Sequence, residues 1–231
     1  MLSVGIAQID VLTGDRAGNQ RRVREWMAEH CPDTRGMTTL IVLPEMWDVG
    51  YALSRKEELA DDEGSEALAF LAGLARWYGV WFAGGSVLAR TESGFVNRAQ
   101  VVDANGNLVA WYDKVHLFPL MDEPLHLEGG NSRCLFDIEG TTAGCVICYD
   151  LRFCEFLRRY AVDGAKALFL SAQWPEKRID HWVALLRARA IENMTYIVAC
   201  NRVGTSGTRY GGNSMVIDPF GVVLYHGTGY K

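Results

Sequence analysis

Residues 141–159 read TTAGCVICYDLRFCEFLRR. The run Ala143 to Cys148 is short and apolar, as a buried strand is, and from Arg152 or Phe153 onward the period changes. Phe156, Leu157 and Tyr160 then fall on one helical face. The pattern predicts a strand, a break at Tyr149-Asp150-Leu151 and an amphipathic helix. Cys148 closes the strand just ahead of a helix N-terminus, where the dipole and free backbone N–H groups favour thiolate. A nucleophile needs that setting, but a buried core cysteine would sit there equally well.

The flanking chain repeats the same plan twice. Val4 to Ile9 reads as a strand, Asn19 to His30 as a helix and Thr39 to Leu43 as a second strand running into Pro44-Glu45. After an acidic loop over residues 48–62 come a helix from Ser65 to Tyr78 and strands at Val80–Leu88, Val96–Val102 and Leu108–Tyr112, with a turn at Asp103-Ala-Asn-Gly106. The second half follows suit: strand Ala143–Cys148, helix Phe153–Val162, strand Ala167–Ser171, helix His181–Asn193, strands Tyr196–Arg202 and Ser214–Ile217, turn Asp218-Pro-Phe-Gly221 and strand Val222–Tyr225. AQVVDANG at 99–106 and SMVIDPFG at 214–221 echo one another directly. Two β-α-β-α-β-β halves whose strands need cover on both faces imply two sheets packed together with helices outside. The expected fold is α/β, a four-layer α-β-β-α sandwich with a pseudo-twofold repeat, in one domain over residues 1–231. A doubly wound dinucleotide fold competes, but no G-x-G-x-x-G follows the first strand.

Composition excludes several classes. The chain has 231 residues, 49% hydrophobic and 22% charged, with a net charge of −5; no basic patch stands out, which argues against nucleic-acid and anionic-membrane partners. No apolar run reaches the ~18 residues of a membrane span, and the N-terminus lacks the basic region and cleavage site of a signal peptide. Cysteines 31, 134, 145, 148, 154 and 200 fall mostly inside apolar strands, which suits reduced thiols and a cytoplasmic location. Cys145-x-x-Cys148 is not read as a disulfide, because three strand residues span about 10 Å whereas a disulfide needs Cα atoms within ~7 Å. No second Cys or His pair at ligand spacing completes a metal site.

Three reactive side chains close strands: Glu45 after LIVLP, Lys114 after LVAWYD and Cys148 after AGCVI. Strand C-termini are where α/β sheets gather their sites, and an ammonium there would favour thiolate and carboxylate. Taken singly, Glu45 could be a loop charge and Lys114 a solvated hairpin end.

With these stretches in view, the sequence resembles the nitrilase superfamily of carbon–nitrogen hydrolases. LPEMWDVGY (43–51), YDKVHLFPLMDEPLHLEGG (112–130), GCVICYDLRFCEFLR (144–158), LSAQWP (170–175), HWVALLRARAIENMTYIVACNRVG (181–204) and YGGNSMVIDPFG (210–221) match in order over nearly the whole chain. The resemblance implies Glu45 as general base, Lys114 as cationic stabiliser, Cys148 as nucleophile and Glu123 as a second glutamate orienting the lysine. It also implies Tyr149 as backbone donor to the oxyanion, and Trp174 and Tyr51 as pocket-lining aromatics. Neither a cofactor nor a metal is implied.

The residues around Cys148 look most like the ω-amidase branch, which acts on small-molecule dicarboxylic monoamides such as 2-oxoglutaramate. Arg152 is the candidate anchor for the free carboxylate; an internal pair with Glu155 or Asp150 is its other reading. True nitrilases place Trp-Glu after the cysteine, unlike Tyr149-Asp150. An N-carbamoyl amide hydrolase is the enzymatic alternative, and a catalytically idle binding scaffold is the alternative from another class. His116 and His126 are expected to be packing or loop residues.

Three departures stand out: Cys154 in place of the usual proline, Asn213 where relatives carry histidine, and an end at Lys231 where relatives continue into a tail that packs across a dimer. A homodimer is nevertheless expected, through Phe156, Tyr160, Leu186 and Ile191 on the helices after Cys148 and after Trp174.

Overall fold

The computed structural model describes residues 2–31 and 36–229; Lys231 lies outside them. The first half contains β1 (Leu2–Ile6), α1 (Arg16–His30), β2 (Thr38–Val42), α2 (Lys56–Leu59), β3 (Asp61–Asp62), α3 (Ser65–Tyr78), β4 (Trp81–Thr91), β5 (Gly94–Val102) and β6 (Leu108–Asp113). Then follow α4 (Glu123–His126), β7 (Cys134–Ile138), β8 (Thr141–Ile147), α5 (Cys154–Val162), β9 (Ala167–Ala172), α6 (Ile179–Asn193), β10 (Tyr196–Asn201), β11 (Val203–Ser206), β12 (Thr208–Gly211), β13 (Met215–Ile217) and β14 (Val223–His226).

The repeat is visible in the strand order. One sheet runs β1-β2-β4-β5-β6, the other β14-β13-β10-β9-β8-β7. Within each half three parallel strands, β1-β2-β4 or β8-β9-β10, are followed by two antiparallel ones, β5-β6 or β13-β14. To this common plan the first sheet adds β3 beside β4, and the second adds β7 beside β8.

Side chains of β2 show how the layers form. Leu40 and Val42 point into a core shared with Phe136, Val146, Phe169 and Leu170 of the other sheet. Ile41 and Leu43, one residue out of phase, instead meet Val23 and Met27 of α1 and Leu71 and Ala75 of α3. A strand buried on both faces reads as a continuous apolar run, as TLIVL does. Leu157 and Tyr160 of α5 and Trp182, Leu186 and Ala190 of α6 cover the outside of the second sheet. Among the described residues no helix is long and apolar enough to cross a membrane.

The expected break and helix after Cys148 are present, with the helix starting one residue later than Phe153. A 3-10 turn occupies Cys148–Arg152, and α5 begins only at Cys154. Cys154 takes the first helical position, where a missing proline costs little. Asn213, at φ +59°, accepts from His226 Nε2 at 2.9 Å and donates to Gly211 O at 2.7 Å, so the place of the usual histidine is not left unbonded.

The proposed dimer residues need correction. Tyr160 and Leu186 are buried inside the fold and Phe156 packs against Tyr112 and His116. Of the four only Ile191 is open; Val162, Met194 and Tyr196 are also exposed apolar side chains of this half.

Candidate active site

Four strand ends converge between the sheets. β2 leads through Leu43-Pro44 to Glu45, β6 to Lys114, β8 to Cys148 and β9 to Gln173. Glu45 and Gln173 follow equivalent strands of the two halves, and they meet: the Gln173 backbone N–H donates to Glu45 Oε2 at 2.9 Å and its side-chain amide donates to Glu45 O at 2.8 Å. The turn holding Glu45 needs a glycine behind it. Gly85 has φ +66°, and a Cβ there would lie 2.2 Å from Pro44 O. Ser86 Oγ accepts from the Met46 N–H at 2.9 Å and fixes the other side of the turn.

Lys114 is buried between two carboxylates. Its Nζ donates to Glu45 Oε1 at 2.7 Å and to Glu123 Oε2 and Oε1 at 2.7 and 3.0 Å. Asn97 of β5 donates to Oε1 of both glutamates at 3.0 and 3.1 Å. The Tyr51 hydroxyl lies 2.7 Å from Glu45 and 3.1 Å from Glu123, and its single proton serves the nearer one. The Phe118 N–H closes the ring of donors at 2.5 Å from Glu123 Oε2.

Three charges without contact to water are tolerable only because each oxygen is met. Burial alone would weaken the Lys114 ammonium, but the charges of Glu123 and Glu45 outweigh it and hold the lysine protonated well above its ordinary range. Burial, then Glu123 and Glu45, likewise keep the Tyr51 phenol from ionising.

Cys148 has φ +45°, a left-handed conformation that costs a non-glycine residue on the order of 1 kcal/mol. Asp150 stabilises this turn. Its buried carboxylate accepts from the Ile147 N–H at 2.9 Å, the Tyr112 hydroxyl at 2.8 Å and the His116 N–H at 3.1 Å, with His116 Nδ1 at 2.7 Å. Tyr149 is the second residue of the 3-10 turn, where a backbone N–H has no acceptor inside the helix.

The thiolate expected at Cys148 is not what the surroundings favour. Burial comes first and the neighbouring Glu45 charge second in pushing the thiol well above its ordinary value, and Lys114 opposes them without prevailing. Burial and the Glu45 charge thus favour a protonated thiol. Such a group can attack a carbonyl only as its proton passes to the carboxylate.

A narrow pocket with about 10 Å³ of free space opens over the sulfur, lined by Phe118, Cys148, Tyr149, Arg152, Gln173, Trp174, Pro175 and Arg178. Trp174 and Tyr149 stand where expected. Tyr51 does not line this pocket; its hydroxyl belongs to the carboxylate cluster. Arg152 makes no ion pair with Glu155 or Asp150; its guanidinium lies over Trp174 at 5.0 Å and reaches His181 Nδ1 at 3.2 Å. His116 stacks on Phe153 at 3.7 Å between centroids, a packing residue as expected, and the backbone carbonyl of His126 accepts from Lys56.

Sequence reasoning missed Asn97, Gln173, Arg178 and the buried Arg202, which donates to Gln173 Oε1 at 2.9 Å and to Asp10 Oδ1 at 2.7 Å. Only the strand-equivalence of Glu45 and Gln173 offered a signal. Cys134, Cys145, Cys148, Cys154 and Cys200 are free, and among the described residues no group of three or more His, Cys, Asp and Glu side chains is placed to share a metal ion.

Residues 3–228 match the family described as carbon-nitrogen hydrolase. The chain is 38% identical over 226 residues to a 2-oxoglutaramate amidase of Bacillus subtilis (strain 168), across 97% of this chain and 86% of the relative. It is 42% identical over 188 residues to the omega-amidase YafV of Escherichia coli (strain K12), across 80% of this chain and 71% of the relative. A solved CN-hydrolase superfamily protein from Xanthomonas campestris, which carries an arsenic adduct in its active site, superposes with TM-score 0.90 at 32% identity over 98% of this chain and 86% of that one. The chain belongs to the carbon–nitrogen hydrolase family and is a hydrolase of the amidase type.

Proposed function

We propose that the protein hydrolyses small dicarboxylic monoamides, with 2-oxoglutaramate ahead of succinamate, through an acyl-enzyme on Cys148. The observation that carries this reading is the buried constellation itself: one thiol, one ammonium and two carboxylates below a small, largely apolar pocket that holds two arginines. The names of the relatives in Bacillus subtilis and Escherichia coli support the choice of substrate class.

In this mechanism Cys148 Sγ attacks the amide carbon while its proton moves to Glu45. Lys114 and the Tyr149 N–H meet the oxyanion, an arrangement worth about a hundredfold or more in rate per donor. Glu45 then gives the proton to departing ammonia and takes one from the water that cleaves the thioester. Glu123 takes no proton; it positions Lys114. The cluster with its full set of hydrogen bonds weighs against an idle scaffold. Five free thiols, Cys134, Cys145, Cys148, Cys154 and Cys200, suit a reducing compartment such as the cytoplasm. The exposed apolar side chains Val162, Ile191, Met194 and Tyr196 suit a homodimer; a monomer at micromolar concentration in sedimentation would refute it.

Ammonia release from 2-oxoglutaramate, succinamate, an N-carbamoyl amino acid and an aliphatic nitrile, measured side by side, tests the substrate class. The ω-amides should lead. A carbamoyl or nitrile substrate ahead by more than tenfold in kcat/KM would overturn the assignment.

A further inference from the structure

Arg178 is the second cation of the pocket, and its situation differs from that of Arg152. The short turn Glu176–Arg178 follows Pro175, and its backbone is pinned twice: Arg178 N–H donates to Pro175 O at 3.0 Å, and Trp174 Nε1 donates to Arg178 O at 2.8 Å. The side chain is therefore presented from a fixed base. Its guanidinium stands 6.0 Å from the Phe118 ring. Among the described residues no carboxylate pairs with it and no acceptor takes its N–H groups, in a chain whose net charge is −5. Glu176, two residues away, is engaged by Arg209 at 3.0 Å.

Arg152 is more committed. It spends one N–H on His181 and lies against two rings, Trp174 at 5.0 Å and Tyr149 at 5.9 Å, while its carbonyl is held by Arg189 at 3.2 Å. Arg178 also borders a second, outer cleft of about 380 Å³ with Leu120, Lys177 and Tyr210. It thus marks the passage from the pocket over Cys148 to the surface, where a carboxylate can be bound without full loss of its water.

We infer that Arg178, through a bidentate guanidinium–carboxylate pair at the mouth of the pocket, anchors the distal carboxylate of the substrate and so sets the preference for acidic amides. The inference rests on the dicarboxylic-monoamide reading above and names the residue responsible. An amide bound this way places its carbonyl over Cys148 and its carboxylate at the entrance, with Phe118, Trp174 and Pro175 enclosing the methylenes. The planar fork of arginine matches a carboxylate in a way that a lysine cannot. Arg152 then acts as a wall that holds Trp174, not as the anchor.

The test compares glutaramate with pentanamide, which replaces the carboxylate by a methyl group. Wild-type protein should prefer glutaramate at least 100-fold in kcat/KM. Arg178→Gln should cut that preference at least 30-fold, with the loss in the KM for glutaramate, and Arg178→Lys should recover only part of it. Arg178→Glu should turn the preference toward 5-aminopentanamide, a change that a misfolded or loosened pocket would not produce. An Arg178→Gln protein that keeps the wild-type ratio, or an Arg152→Gln protein that alone loses it, overturns the assignment of Arg178 while leaving the substrate class intact. Wild-type protein with no preference for glutaramate over pentanamide overturns the substrate class itself, and Arg178 with it.

Discussion

The Asp150 carboxylate holds His116 twice, at 3.1 Å through its backbone N–H and at 2.7 Å through ring Nδ1. Asp150 belongs to the turn of Cys148 and His116 to the loop of Lys114, so one buried anion ties the nucleophile to the cation that must meet its oxyanion. Asp150→Asn presents an amide N–H₂ to at least one of these donors. Hydrogen bonds to charged groups are worth about 1.5–3 kcal/mol, so thermal unfolding should show a loss of roughly 2 kcal/mol, a drop of about 5 °C for a chain this long. The kcat should fall with it, and a variant with wild-type melting and kcat would show that the coupling is idle.

In the proposed mechanism Glu45 receives the thiol proton, although its charge also keeps that proton on sulfur. Glu45→Gln should therefore separate reactivity from turnover. Removing the negative charge leaves Lys114 as the dominant neighbour, so the thiol pKa falls and more thiolate exists at pH 8. Alkylation by iodoacetamide should speed up, its pH midpoint moving down, while amide hydrolysis drops by about 10²–10⁴ for want of a general base. Slower alkylation together with retained hydrolysis would contradict the role given to Glu45.

Glu45 and Cys148 were legible because the buried runs LIVLPE and AGCVIC each announce their polar last residue by the apolar residues before it. Lys114 follows an edge strand whose Leu108, Val109 and Trp111 are exposed, so its burial was not announced that way. The break after Cys148 was legible, but its 3-10 form was not: it depends on Asp150's bonds back to Ile147 and His116. Strand β7, CLFDI, shows a period-2 alternation but over only five residues, with Asp137 open. The hairpin Val203–Gly211 is rich in glycine and threonine and short of apolar positions, and it is fixed by pairing with distant Asp10 and Pro175. Arg178 gave no signal at all, because a cation three residues beyond a proline has no pattern of its own.

Asp48 predicts a pH dependence outside the catalytic cluster. Burial raises its pKa to about 7, with Arg16 at 3.5 Å offsetting only part of the cost. The folded protein therefore keeps a proton that the unfolded chain releases near its ordinary value of 3.8. Between those two values the native state binds more protons, so this contribution to stability is full below about pH 4 and is lost as pH rises toward 7, with a limiting slope of about 1.4 kcal/mol per pH unit. The wild-type minus Asp48→Asn difference in urea unfolding should shrink by about 2 kcal/mol between pH 5 and pH 7.5. A difference independent of pH would mean that Asp48 stays ionised in the fold.

The central claim is that Cys148, and no other thiol, carries the acyl group. The thiol and the amide R–CO–NH₂ give the thioester Cys–S–CO–R and ammonia, so acid quenching during turnover of glutaramate should trap protein heavier by the substrate mass less that of ammonia. Peptide mapping should place the added mass on the peptide containing Cys148; the same experiment on Cys145→Ser protein should trap it equally, and on Cys148→Ser protein should find neither adduct nor turnover. Continued ammonia release by Cys148→Ser protein, or an adduct mapped to Cys145 or Cys154, would contradict the mechanism outright.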